Sequence, residues 1–166
     1  MSRFAAIASA LTLVLSACDD GGDGAPTSAR GPGGEIDVCA VLTVDEIASA
    51  VGNAVDDGSG EVGPQLCDWT APPADTSVSA SLLIGPTVAL CVEALELDPA
   101  NARSKGFDDP TFWSYLDILG GIGNVVVCAE AGQLTLTLMA GTDAEPGERE
   151  LREAGEQLAR RAAARL

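Results

Sequence analysis

The sequence predicts an α+β domain: a mainly antiparallel sheet of about four strands, with helices packed on one face, in the order α-β-β-α-β-β-α. Three observations carry that expectation. Thr43-Val44-Asp45-Glu46 is a capping box that opens an apolar stripe. Four strand-like runs arrive in two pairs, each joined by a short connection, so the strands should meet as hairpins. The last stretch of the chain is amphipathic, acidic at its start and arginine-rich at its end, as the helix dipole favours.

In the first helix the Thr43 hydroxyl can accept from the Glu46 amide while the Glu46 carboxylate reaches back. Leu42 and Ile47 are placed for the accompanying hydrophobic staple. Val44, Ile47, Ala48 and Val51 form the stripe, and Gly52 is a natural stop. Residues 55–63 are rich in Gly and Asp and should be turn or edge. Asp56, Asp57 and Glu61 lack the alternating spacing and distal glutamate of an EF-hand, so no calcium loop is expected. Gln65–Ala71 and Ser77–Ile84 read as two strands around a Pro-Pro-Ala-Asp connection. Thr87–Leu97 places Val88, Cys91, Val92 and Leu95 at helical spacing, with Pro99 and Gly106 ending the helical region. Phe107–Leu119 follows as a long aromatic connection, and Gly120–Asn124 as a tight turn. Val125–Ala129 and Leu134–Ala140 make a second hairpin. There Leu134, Leu136 and Leu138 alternate with Thr135 and Thr137, the mark of a sheet with one buried face. From about Ala144 the chain turns helical, with Leu151, Ala154, Leu158, Ala162 and Leu166 as its stripe.

Upstream of this domain lies an export signal. Arg3 supplies a positive start, and Phe4–Leu15 is an uncharged run. As a helix that run spans about 18 Å, short of a hydrocarbon core of about 30 Å but suited to the apolar region of a signal peptide. An ordinary cleavage site wants small residues at −1 and −3. Here −3 is Leu15, and Leu15-Ser16-Ala17-Cys18 instead resembles the bacterial lipobox. Residues 1–17 are then a lipoprotein signal peptide, and Cys18 carries the lipid (diacylglyceryl, with palmitate-type chains) as the first mature residue. Two or more acyl chains anchor stably where one does not. The next stretch, to Glu35, is dense in Gly, Pro, Ser and Asp with no apolar period, so residues 18–35 are expected to be anchor and flexible linker. The folded domain is expected to span 36–166.

Charge and cysteines narrow the function further. With 25 acidic residues against 9 basic and no histidine, the surface repels nucleic acid and anionic headgroups alike. Five cysteines resolve if Cys18 is set apart and Cys39, Cys67, Cys91 and Cys128 pair outside the cytoplasm. Four cysteines allow three pairings. The favoured one is Cys39–Cys67 with Cys91–Cys128, pinning the first helix to the first strand and the second helix to the later hairpin. Each bridge closes a loop of roughly 30–40 residues, worth about 3–4 kcal/mol. No C-x-x-C pair and no histidine exist, so neither a metal site nor a thioredoxin-type redox pair is expected.

Asp37-Val38-Cys39-Ala40-Val41-Leu42-Thr43, then Glu46-Ile47 and Gly52, then Cys67-Asp68-Trp69, carry a resemblance. The chain is similar there to the lipoproteins of unknown function abundant in actinobacteria. In those proteins a Cys-x-Leu-Leu-Thr helix start is followed by a Cys-x-Trp strand. Gly121-Ile122-Gly123-Asn124, the second hairpin and the final helix fit the same outline, over about Asp37–Leu166. The chain departs from that pattern at Val38, where proline is usual, and at Asn124, where an acid is commoner. The family has no established catalytic residues to transfer. What it implies is a surface-anchored binding or envelope-associated module.

Catalytic chemistry finds little support in the residues. A triad or Cys–His pair needs histidine, and Ser104 beside the only lysine, Lys105, has no useful geometry, because adjacent helical residues do not face each other. Paired acids such as Asp56-Asp57 and Asp108-Asp109 are expected by chance in so acidic a chain. The mature chain has five aromatics, and four fall within nine residues: Phe107, Phe112, Trp113 and Tyr115. They are the candidate contact surface for a small apolar ligand or an envelope protein, against the alternative of a satellite core pinning a long connection. Trp69, the fifth, is expected to pack against a disulfide beside Cys67. The sequence therefore predicts a non-enzymatic, cofactor-free binding or accessory module, lipid-anchored on the extracytoplasmic face of the cell membrane. A purely structural envelope protein and a carboxylate-based hydrolase are the alternatives.

Overall fold

A computed structural model describes residues 29–30, 34–56, 58, 65–71, 76–118, 120–140 and 147–166 of the chain. The signal peptide, Cys18 and the first part of the linker lie outside the described residues.

A single 3-10 turn, Val38–Ala40, leads into α1, Val44–Val51. The capping box forms as expected: the Thr43 hydroxyl accepts from the Glu46 amide at 3.3 Å, and the Thr43 amide donates to the Glu46 carboxylate at 2.9 Å. Gly52 ends the helix in the left-handed region, φ 76°, where a side chain would be strained. Then come β1 (Leu66–Ala71), β2 (Thr76–Leu83), α2 (Val88–Glu96), β3 (Ala102–Arg103), β4 (Thr111–Leu116), β5 (Ile122–Ala129), β6 (Gly132–Met139) and α3 (Glu148–Ala163).

The fold is α+β on one antiparallel sheet, but the sheet has six strands rather than about four, in the spatial order β1-β2-β6-β5-β4-β3. The two missed strands come from the stretch between α2 and β5. In β4, Phe112 and Trp113 are both buried, one on each face, so the run has no alternation to betray a strand. The expected turn at Gly120–Asn124 is correspondingly shorter, because Ile122–Asn124 already pair with β4.

The expectation of helices on one face is corrected too. Val125 and Val127 of β5 join α1, α3 and the 3-10 turn in the main core, with Trp69, Trp113, Leu136 and Leu158. The alternate residues Val126 and Cys128 point the other way, into a smaller core with Phe112 and the inner side of α2. Two helices therefore cover one face and α2 covers part of the other.

Packed structure also begins earlier than Ile36. Ala29 is buried, its carbonyl accepts from the Asp37 amide at 2.9 Å, and Arg30 forms an antiparallel bridge with Ile36. The Arg30 guanidinium donates to the Leu166 carbonyl at 2.8 and 3.1 Å, tying this strip to the end of α3. The composition of the linker gave no hint of a buried alanine or a long-range arginine.

Candidate functional site

Both disulfides form with the favoured pairing. Cys39–Cys67 ties the 3-10 turn to β1 on the main-core side, and Cys91–Cys128 ties α2 to β5 on the other. Each face of the sheet thus has its own covalent staple. Trp69 lies in the same core as Cys67, as expected.

The four clustered aromatics are split by the pleat. Phe112 and Trp113 are each 2% exposed and face opposite cores, so neither offers a contact surface. The Trp113 indole N–H points at the Glu148 carboxylate, 3.5 Å away. Tyr115 is half-buried and packs against the main core. Phe107 is half-buried and lines a groove. This groove, about 270 Å³, is walled by the 106–109 loop and the last turns of α3, with Phe107, Asp108, Asp109, Val127, Arg160 and Ala163 among its lining residues. A second concavity of about 290 Å³, reached past Asp109 and Ala163, continues it toward Arg30, Glu130 and Leu166.

Electrostatics hold the groove in shape. The Arg160 guanidinium lies 4.5 Å from the Phe107 ring centroid, a cation–π contact, and pairs with Glu156 at 3.4 Å. Glu156 also accepts from the Ser104 hydroxyl at 2.8 Å and from Arg152 at 2.9 Å. Burial works against its charge, but the hydrogen bonds from Arg152 and Ser104 and the two arginine charges outweigh it. Its carboxyl is held below the usual range. Ser104 thus braces the loop that carries Phe107.

No protein family, curated protein or solved structure matches the chain. Its chemistry must be taken from the geometry.

The most strongly perturbed carboxyl lies elsewhere. Glu46 receives both guanidinium nitrogens of Arg165, at 2.6 and 2.8 Å, besides closing the capping box. The Arg165 hydrogen bonds, helped by the Thr43 amide and opposed by burial, hold the Glu46 carboxyl down to about 2. The same arginine donates to the Val41 carbonyl at 2.8 Å. This is a clamp between α1 and the end of α3. Asp56 of the expected turn accepts from the Thr70 hydroxyl at 3.4 Å, while Asp57 and Glu61 lie outside the described residues. Among the described residues no cluster of three metal-ligating side chains occurs, and no helix is long and apolar enough to cross a membrane.

The groove thus offers an apolar floor, one aromatic wall, a fixed guanidinium and a rim of acids. Such a surface can hold a small amphiphilic group by contact and hydrogen bonding. Sequence reasoning found Phe107 but missed Arg160 and Ala163. The late arginines of α3 were explained by the helix dipole, and nothing in their spacing marks which of them turns toward the 106–109 loop.

Proposed function

We propose that the protein is a lipid-anchored domain on the extracytoplasmic face of a cell membrane, serving the envelope as a non-catalytic binding or accessory module through the Phe107 groove. The observation that carries this reading is the pair of disulfides, one in each core, in a chain whose residues 1–17 read as a lipoprotein signal peptide with Cys18 as the first mature residue. Bridges of this kind persist in oxidising compartments. The binding half of the reading rests on the groove, and the non-catalytic half on the state of the carboxyls. Glu46 and Glu156, the two held below the ordinary range, are both engaged by arginines.

One observation favours a second reading, a purely structural envelope protein. Phe112 and Trp113 are used inside the cores, and the groove lies just under the usual small-molecule range of about 300–1,000 Å³. The carboxylate-based hydrolase has no comparable observation behind it.

The intact mass of protein extracted from its own membrane tests the proposal. The expected species begins at Cys18, carries acyl chains and lacks four thiol hydrogens. Cys18→Ser should leave the membrane fraction or accumulate as uncleaved precursor. A cytosolic chain with residues 1–17 intact and its thiols free overturns the anchor. In native spectra a co-purified passenger lost on Phe107→Ala supports the groove, and a passenger indifferent to that change points away from it.

A further inference from the structure

Four of the exposed large hydrophobics among the described residues, Leu90, Leu97, Leu116 and Met139, lie on α2 or on the sheet face it packs against, in two groups. One group sits at α2 itself. The sequence VALCVEALE is apolar nearly all round, a pattern that belongs to a helix covered on both sides. Val88, Cys91, Val92 and Leu95 take the inner side, yet the outer stripe of Ala89, Leu90, Glu93, Ala94 and Leu97 faces solvent. Leu90 is 58% exposed and Leu97 79%.

The other group lies on the sheet. Leaving β2 at Leu83 and arriving at β3, α2 packs on β5 and β6 and reaches Phe112 of β4, so it covers only the end of the sheet nearest the β5–β6 turn. At the other end lie two rows, half-exposed or exposed, that no element among the described residues covers. Asp68, Ser79, Thr137, Asn124 and Ser114 are in register across five strands, and beside them run Thr70, Ser77, Met139, Ile122 and Leu116. Each row spans roughly 19 Å at about 4.8 Å per strand. In a chain of net charge −16 these ten positions hold one ionised group, Asp68, on the edge strand. Depletion of charge from an exposed surface is the compositional mark of an interface core.

We propose that a second copy of this chain docks here, related by a two-fold axis lying in the plane between the sheets and running across the strands. Such an axis sets the partner's α2 over the open rows and this chain's α2 over the partner's, so both helices share one layer between two sheets. The shapes agree, since α2 stands about one helix diameter, 10–12 Å, above the half of the face it leaves bare. The chemistries agree as well. Leu90 and Leu97 meet the strip of Met139, Ile122 and Leu116, and Glu93 can accept from the free hydroxyls of Ser79 and Ser114. Two copies of so acidic a protein repel least through a face poor in charge, and this one carries Asp68 on the rows and Glu93 and Glu96 on α2; the contact is isologous, as two-fold dimers require. Its area, on the order of 500 Å² per copy, sits at the low end for specific interfaces, the size class of weak and transient contacts. The inference does not depend on the lipid anchor.

Sedimentation velocity of the full chain in non-ionic detergent, across the micromolar range, tests it. The expected result is a concentration-dependent doubling of protein mass. The pair Leu90→Arg and Leu97→Arg should abolish the doubling, and so should Ser79→Arg on the opposite half of the contact. Leu90 and Leu97 are exposed and Ser79 half-exposed, and an unchanged thermal midpoint with both disulfides intact shows that the variants fold. A chain that stays monomeric throughout overturns the proposal, and so does a dimer indifferent to these substitutions.

Discussion

Glu46 is where three local rules meet in one side chain. It closes the capping box of α1, grips Arg165 of the α3 terminus in a two-pronged pair, and lies 3.6 Å from Arg161. In the folded chain its carboxyl stays ionised down to about 2, against an ordinary value of 4.5. A depressed carboxyl contributes stability that is fully present above pH 4.5 and is lost as the pH falls through 2. Glu46→Gln is therefore expected to cost on the order of 2–3 kcal/mol at pH 7 and to flatten the acid limb of the stability profile between those values, checked by urea titration at several pH values. Gly123 is another residue with no room for change. A Cβ there would overlap the Trp113 ring. Gly123→Ala should destabilise by about 1–3 kcal/mol through overpacking, with a shift in tryptophan fluorescence as the indole is displaced. The capping box was legible because all its partners lie within four residues. Arg165 and Trp113 were not, since their partners lie on other elements.

Among the elements, β4 shows best why a pattern can fail. The first half of β4 is buried on both faces, so Thr111, Phe112 and Trp113 show no alternation, and Phe112 and Trp113 serve separate cores. Trp113→Ala is expected to cost about 3–5 kcal/mol, whereas Phe112→Ala should fall at the low end of that range, because its core is small and its rim half-open. Chemical denaturation of the two variants separates these values. α2 depends on its bridge in the same way, since few contacts besides the small core hold it to the sheet. Replacing Cys91 and Cys128 by serine removes a cross-link spanning 37 residues and should lower stability by about 3–4 kcal/mol. Amide exchange should then show α2 opening before α1 and α3. The short helix α1, the β5–β6 hairpin and the stripe of α3 were plain in the sequence, each having a cap, an alternation or a helical period of its own.

At the scale of the whole molecule, the surplus of negative charge is the main force acting outside the cores. A net −16 on 166 residues presses the compact state outward, and mobile ions relieve that pressure. Raising sodium chloride from about 0.02 to 0.5 M at pH 7 is expected to raise the thermal midpoint by several degrees, despite weakening the exposed Arg103–Glu96 pair. Calorimetry near the isoelectric point of about 4.1 should show the salt effect vanish. The direction of that difference distinguishes general repulsion from the loss of particular ion pairs.

By itself the sequence determined what depends on neighbours along the chain: the capped first helix, the alternating hairpin, the amphipathic final helix and the α+β class they imply. It also favoured the disulfide pairing that forms, because each bridge joins elements that the order of the chain brings together. Only the tertiary structure decided that the aromatic stretch holds a strand, that Phe112 and Trp113 look in opposite directions, and that α2 covers part of the far face of the sheet. It alone decided that Phe107 and Arg160 share a groove. The reason is geometric: a strand's neighbours, and the face it turns to each, are set by hydrogen bonds to residues distant in sequence, and local composition does not record them.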